Sequence, residues 1–148
     1  MTAVVRGARI IGGVGLVAVG GLHALWAAGS HWPARSHEGL AEAVIGTDEA
    51  VPGAIPTAIV AGGALATGAV VAGGLGDSRL AVRWRRFAGA GLLVRAAVGG
   101  DVALAALGWP AAGEKFLKLD NRVYRPLCAV LGIAALVGAR SKRVSSSE

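Results

Sequence analysis

His23, Asp101, Tyr124 and Cys128 carry acid–base or nucleophilic side chains and fall within, or at the ends of, long apolar runs. Lipid makes an ionised group at a helix centre expensive, about 2.5 to 3.5 kcal/mol on insertion scales, so such groups turn inward and find partners. His23 and Asp101 at a common depth would form an outward-opening polar pocket with Tyr124 and Cys128, walled by Trp26. The structural alternative is that His23 and Asp101 hydrogen-bond to each other or to free carbonyls and hold helices in register. Arg95 is read as a structural intramembrane charge, with Thr67 or backbone carbonyls as acceptors. A lone Cys128 fits a small packing role, and Trp26, Trp32 and Trp109 fit interfacial anchoring.

Several sharper chemistries fail by counting. One cysteine excludes an internal disulfide, a CxxC redox pair and a multi-cysteine metal site. A bis-histidine haem needs two embedded imidazoles, but His31 and His37 lie in a loop and only His23 is embedded; a zinc site from the three would need that loop folded back. There is no nucleophile elbow and no GK[ST] phosphate loop. No residue is therefore assigned to catalysis or to a metal, and no cofactor is implied. The net charge of +6 does not indicate nucleic acid, because the basic residues sit in short clusters between apolar runs rather than along one stripe.

The elements that must position these residues are membrane helices. The 148-residue chain is 54% hydrophobic and 16% charged, whereas a soluble domain is about a quarter charged. Its apolar residues are mostly Ala, Gly, Val and Leu, which suits close helix packing in lipid. The expected fold is all-α, an integral membrane four-helix bundle forming a single domain, with spans at 10–28, 54–75, 87–107 and 123–139 and a polar, disordered tail at 140–148. A cleaved signal peptide is the competing reading of the first span, disfavoured because Trp26 would crowd the cut. The loop between the first two spans holds Arg35 against Glu38, Glu42, Asp48 and Glu49, and residues 40–45 form a candidate interfacial helix. Ala64, Gly68, Ala72 and Gly76 make a small-residue ridge on the second span. Trp32-Pro33 and Trp109-Pro110 mark two exits on one side of the membrane.

Orientation follows from the basic residues. With the N-terminus inside, Arg6, Arg9, Arg79, Arg83, Arg85, Arg86, Arg140, Lys142 and Arg143 are cytoplasmic, against Arg35, Lys115, Lys118, Arg122 and Arg125 outside. Both termini are therefore expected in the cytoplasm. At about 1.5 Å of rise per residue, His23 and Asp101 both lie roughly 20 Å above the inner face, and Cys128 falls near the same layer.

The segments GLHALWAAGSHWP, RRFAGAGLLVRAAVGG and FLKLDNRVYRPLCAVLG resemble a family of small bacterial integral membrane proteins known only as a domain of unknown function. The resemblance rests on G-x-H-x-x-W with G-S-x-W-P, matched by His23, Trp26, Gly29, Ser30, Trp32 and Pro33. It rests also on L-D-x-x-x-Y-x-P-L-C, matched by Leu119, Asp120, Tyr124, Pro126, Leu127 and Cys128. It implies four helices in a bacterial plasma membrane and no established activity, and it adds Ser30 and Asp120 to the site. The leading expectation is a pocket at the outer mouth that binds a small amphipathic molecule or lipid headgroup, built from His23, Trp26, Ser30, Trp32, Asp101, Asp120, Tyr124 and Cys128. The alternatives are a structural or accessory subunit of a membrane complex, docked through Gly68 or Ala72, and an oligomeric small-solute transporter. Expected partners are membrane lipids and a membrane-protein partner or a second copy of the chain, with no nucleic acid.

Overall fold

A computed structural model describes residues 1–47, 53–106, 108 and 110–140. The expectations for Asp48, Glu49, Trp109, Lys142, Arg143 and the SSSE tail lie outside the described residues. Every regular element described is helical.

Helix α1, Ala3–Ala27, is 25 residues long and rises about 38 Å. It begins seven residues before the expected span because Thr2 caps it, its Oγ1 accepting from the Val5 N–H at 3.3 Å. Arg9 does not end the apolar run; it is drawn inside and is 7% exposed. The short helix α2, His37–Val44, is capped by Ser36. Helix α3, Ala54–Ala72, stops three residues before the expected end, where Gly73 turns left-handed (φ 113°) and the Gly74 N–H returns to the Ala69 carbonyl.

The third expected span, 87–107, is not one helix. Helix α4 runs Arg79–Val98, and α5, Gly100–Ala106, leaves it at 103°. Gly99 at the break has φ 85°, which favours glycine. Gly100 has no room for a side chain, since a Cβ would lie 2.4 Å from Phe116 Cζ and 2.6 Å from Arg95 Nη2. After α6, Glu114–Leu119, one π-helical turn (Asp120–Tyr124) leads directly into α7, Arg125–Gly138.

Helices α1 and α3 are long and apolar enough to cross a membrane, and the bent α4–α5 pair makes a third if it is one span. The 14 residues of α7 rise about 21 Å, less than a hydrocarbon core of about 30 Å. Four expected spans thus become two or three by length and composition.

Helix α1 packs on α3 and α7, and α7 on α4. Glycines set these contacts. A Cβ on Gly13 would meet Ala72 Cβ at 2.7 Å, and one on Gly68 would meet Val17 Cγ2 at 2.9 Å. Gly89 and Gly132 face each other across α4 and α7, each Cβ position 2.9 Å from the other's carbonyl oxygen. The ridge expected on the second span is thus partly consumed within the fold: Gly68 and Ala72 serve α1, and Gly76 lies beyond the helix. Small residues fill the interior around Leu16, Val71, Leu131 and Ala135. Large apolar side chains such as Ile10, Val14, Ile55, Ile59, Phe87 and Val130 point outward. Water would penalise that distribution, and lipid favours it.

Candidate functional site: a cleft where helix α1 ends

The GLHALWAAGSHWP segment builds a helix exit. Gly29 takes φ 92°, its N–H bonds the Trp26 carbonyl and the Ser30 N–H bonds the Leu25 carbonyl, each at 3.0 Å. These two returning bonds satisfy the orphan carbonyls at the end of α1. Ser30 Oγ accepts from the Trp32 N–H at 3.2 Å, and Trp26 Nε1 donates to the Trp32 carbonyl at 2.7 Å. One turn earlier, His23 Nδ1 lies 2.8 Å from the Val19 carbonyl. A carbonyl only accepts, so Nδ1 carries a proton there. The imidazole rests against Trp26 with ring centroids 4.8 Å apart. His23, Trp26, Ser30 and Trp32 therefore act as one scaffold that fixes the chain leaving α1. Trp26→Phe keeps an aromatic, though smaller, ring and removes the donor; it should cost about 0.5 to 1 kcal/mol in thermal melts, with faster proteolysis at residues 29–36.

That scaffold forms one wall of a cleft of about 480 Å³. Leu22 and Trp26 of α1 face Leu40 and Val44 of α2, with Leu119 and Tyr124 beyond. Arg35 and Lys115 are the charged residues in its lining. Side chains from distant parts of the chain hold the far wall: Tyr124 Oη donates to the Ala43 carbonyl at 3.0 Å, and Lys115 Nζ reaches Glu42 Oε2 at 2.8 Å. The Gly113 N–H donates to the Gly46 carbonyl at 2.9 Å, tying the two connecting segments together. Such a space, mostly apolar with a few polar groups, suits an amphipathic ligand.

Of the eight residues expected to share a pocket, Trp26 and Tyr124 line this cleft, and His23, Ser30 and Trp32 support its wall. Asp101 does not share a helical span with Arg95; it is exposed in the first turn of α5, beyond the break. Cys128 is partly buried on α7, outside the lining.

Asp120 is not at an open mouth. It is 2% exposed, accepts from Arg95 Nη2 at 2.5 Å and accepts the Gly100 N–H at 2.8 Å. Arg95 thus pairs with Asp120, while Thr67 accepts from Trp84 Nε1. Arg125, which sequence reasoning placed only as an outer charge, donates from Nε to the Ala96 carbonyl at 2.7 Å and from Nη2 to the Ala97 carbonyl at 2.8 Å. Together Asp120 and Arg125 satisfy both sides of the break between α4 and α5.

The opposite end carries a second charged knot. Arg9 Nε donates to the Gly138 carbonyl at 2.9 Å, and its Nη2 bonds Asp77 Oδ1. Arg85, fully buried, donates to Asp77 Oδ1 at 3.2 Å, to the Val70 carbonyl at 2.9 Å and to the Gly76 carbonyl at 2.7 Å. The Arg9 guanidinium, by hydrogen bonding, holds the Asp77 carboxyl below its usual range. Arg9 and Arg85 are therefore structural as well as basic. Among the described residues there is no group of three or more His, Cys, Asp or Glu placed to hold a metal ion.

No curated protein and no solved structure matches the chain. One family matches residues 16–135, and by that match, which covers most of its length, the chain belongs to the family described as protein of unknown function (DUF3995).

Proposed function

We propose that the chain is a four-helix bundle of the bacterial plasma membrane, with both termini in the cytoplasm, that binds a small amphipathic molecule or lipid headgroup in an outward-facing cleft. The observation that carries this reading is the cleft itself, about 480 Å³ between α1, α2 and the segment around Tyr124. The outward-pointing apolar side chains and the excess of basic residues at the Arg9 end support the membrane and its orientation. The apolar part of the ligand lies on Leu22, Trp26, Leu40 and Val44, and its polar part at Arg35 and Lys115. His23 and Ser30 act through Trp26 and the exit loop rather than by touching the ligand.

A titration of lysophospholipids and fatty acids into the purified protein in nanodiscs tests this. At least one of these probes should raise the apparent melting temperature saturably, and filling the cleft by Leu40→Trp or, independently, Gly39→Leu should abolish the rise without lowering the unliganded melting temperature. If no probe saturates, or both filled variants respond like the unaltered protein, the reading is wrong. The accessory-subunit alternative loses one of its expected docking residues, because Gly68 is buried against α1.

A further inference from the structure

The first half of α4 presents two stripes that neither the cleft nor the charged knots use. Arg79, Arg83 and Arg86 recur at i, i+4 and i+7, and all three are exposed. Leu80, Trp84 and Phe87 repeat that spacing one position later and are 70%, 44% and 73% exposed. Successive helical residues are about 100° apart, so the stripes run side by side. From Arg79 to Arg86 the helix rises about 10 Å.

None of the three arginines forms an ion pair with a described carboxylate. The neighbouring acid, Asp77, already accepts from Arg9 and Arg85. On the other stripe, Trp84 is tethered to α3 through Thr67 Oγ1 at 3.3 Å, and its ring lies 6.0 Å from that of Phe87. An indole so held presents an apolar surface at a fixed place beside the guanidiniums.

A ladder of cations without an ion-pair partner among the described residues, climbing about 10 Å beside an exposed apolar stripe, enters the depth at which a bilayer offers phosphate in place of water. Guanidinium matches phosphate by paired N–H donors and is weakly hydrated, which suits it to that layer. We propose that this face of α4 binds an anionic glycerophospholipid, its phosphate held among Arg79, Arg83 and Arg86 and its acyl chain lying on Leu80, Trp84 and Phe87. The site is at the Arg9 end of the bundle, opposite the cleft. It rests on the membrane reading and is independent of the cleft ligand.

The test compares phosphatidylglycerol with phosphatidylcholine of the same chains, added to the purified protein in a neutral detergent, by native mass spectrometry and thermal melting. Phosphatidylglycerol should be retained and stabilise in preference to phosphatidylcholine. That preference should fall about tenfold or more in the Arg79→Gln/Arg83→Gln/Arg86→Gln variant. The double variant Arg83→Gln/Arg86→Gln, which disturbs folding less, should lose most of it. Leu40→Trp should leave it intact, which separates this site from the cleft. Equal stabilisation by the two lipids, a preference that survives the glutamine variants, or an equal effect of chain-free glycerol phosphate would each overturn the proposal; the last two would point to another surface and to a headgroup-only site.

Discussion

Asp120→Ala is expected to destabilise the protein by about 3 kcal/mol, the lower end of the range for orphaning one partner of a buried ion pair. The carboxylate is 3% exposed and serves two donors: Nη2 of Arg95, whose side chain is 27% exposed, and the buried Gly100 N–H. Arg95 already carries one burden, since its Nη1 is buried without a hydrogen-bond partner among the described residues. Taking Asp120 away leaves the guanidinium uncompensated beside the break and exposes the start of α5. Asp120→Asn should fall between alanine and the unaltered protein, because the amide oxygen still accepts from Gly100 while the charge for Arg95 is gone. Adding Arg95→Met to Asp120→Asn should then recover much of the loss, as replacing both members of a buried pair costs less than removing one. Thermal melting of the three variants in one detergent decides the matter. If the double variant is less stable than Asp120→Asn alone, the pair is not what holds the break together.

The sequence displays the helices more clearly than their interruptions, and the reason is physical. Apolar length marks α1 and α3, and the G-S-x-W-P signal marks the end of α1 because glycine and proline stop helices by local chemistry. The break at Gly99 has no such mark: in a chain with 24 glycines, a pair inside an Ala-rich run is equally a packing feature. Contact with Phe116, sixteen residues on, is what excludes a side chain at Gly100. The charged residues were misplaced for the same reason. Asp120 looks like a loop acid until Arg95 and Gly100 are brought to it, and Arg9 and Arg85 look like topology markers until Asp77 joins them. Within the candidate site, Trp26 and Tyr124 were legible as an aromatic at a helix exit and a tyrosine at a helix start. Arg35 and Lys115 were not, because their shared cleft depends on α2 folding back against α6 through Glu42 and Gly46.

Arg85→Met should cost about 1 to 3 kcal/mol at neutral pH, although it removes a charge and keeps an apolar side chain of similar reach. Arg85 is fully buried and supplies donors to two backbone carbonyls, those of Val70 and Gly76, that end α3 and shape the turn into α4. Methionine supplies neither, and each hydrogen bond lost costs about 0.5 to 1.5 kcal/mol net, since the Val70 carbonyl still accepts the Gly73 N–H and Gly76 is exposed. The remaining loss comes from Asp77, which keeps Arg9 but no longer links α4 to α1. The pH dependence separates these parts. Hydrogen bonding to Arg9 lowers the folded-state affinity of Asp77 for its proton, so Asp77 contributes fully above its ordinary value of 3.8 and loses that contribution as pH falls through its lower folded value. Its side chain is half exposed, so water screens the effect and the contribution is small. Between pH 5 and 8 the Arg85→Met deficit should therefore be flat, because the lost carbonyl bonds do not titrate. Below about pH 4 the unaltered protein should lose stability faster than Asp77→Asn, which has no carboxylate at this position to protonate. Melting curves for the three proteins from pH 3 to pH 8 would show it, and an Arg85→Met protein that melts with the unaltered one would mean that the buried guanidinium is not what closes this end of the bundle.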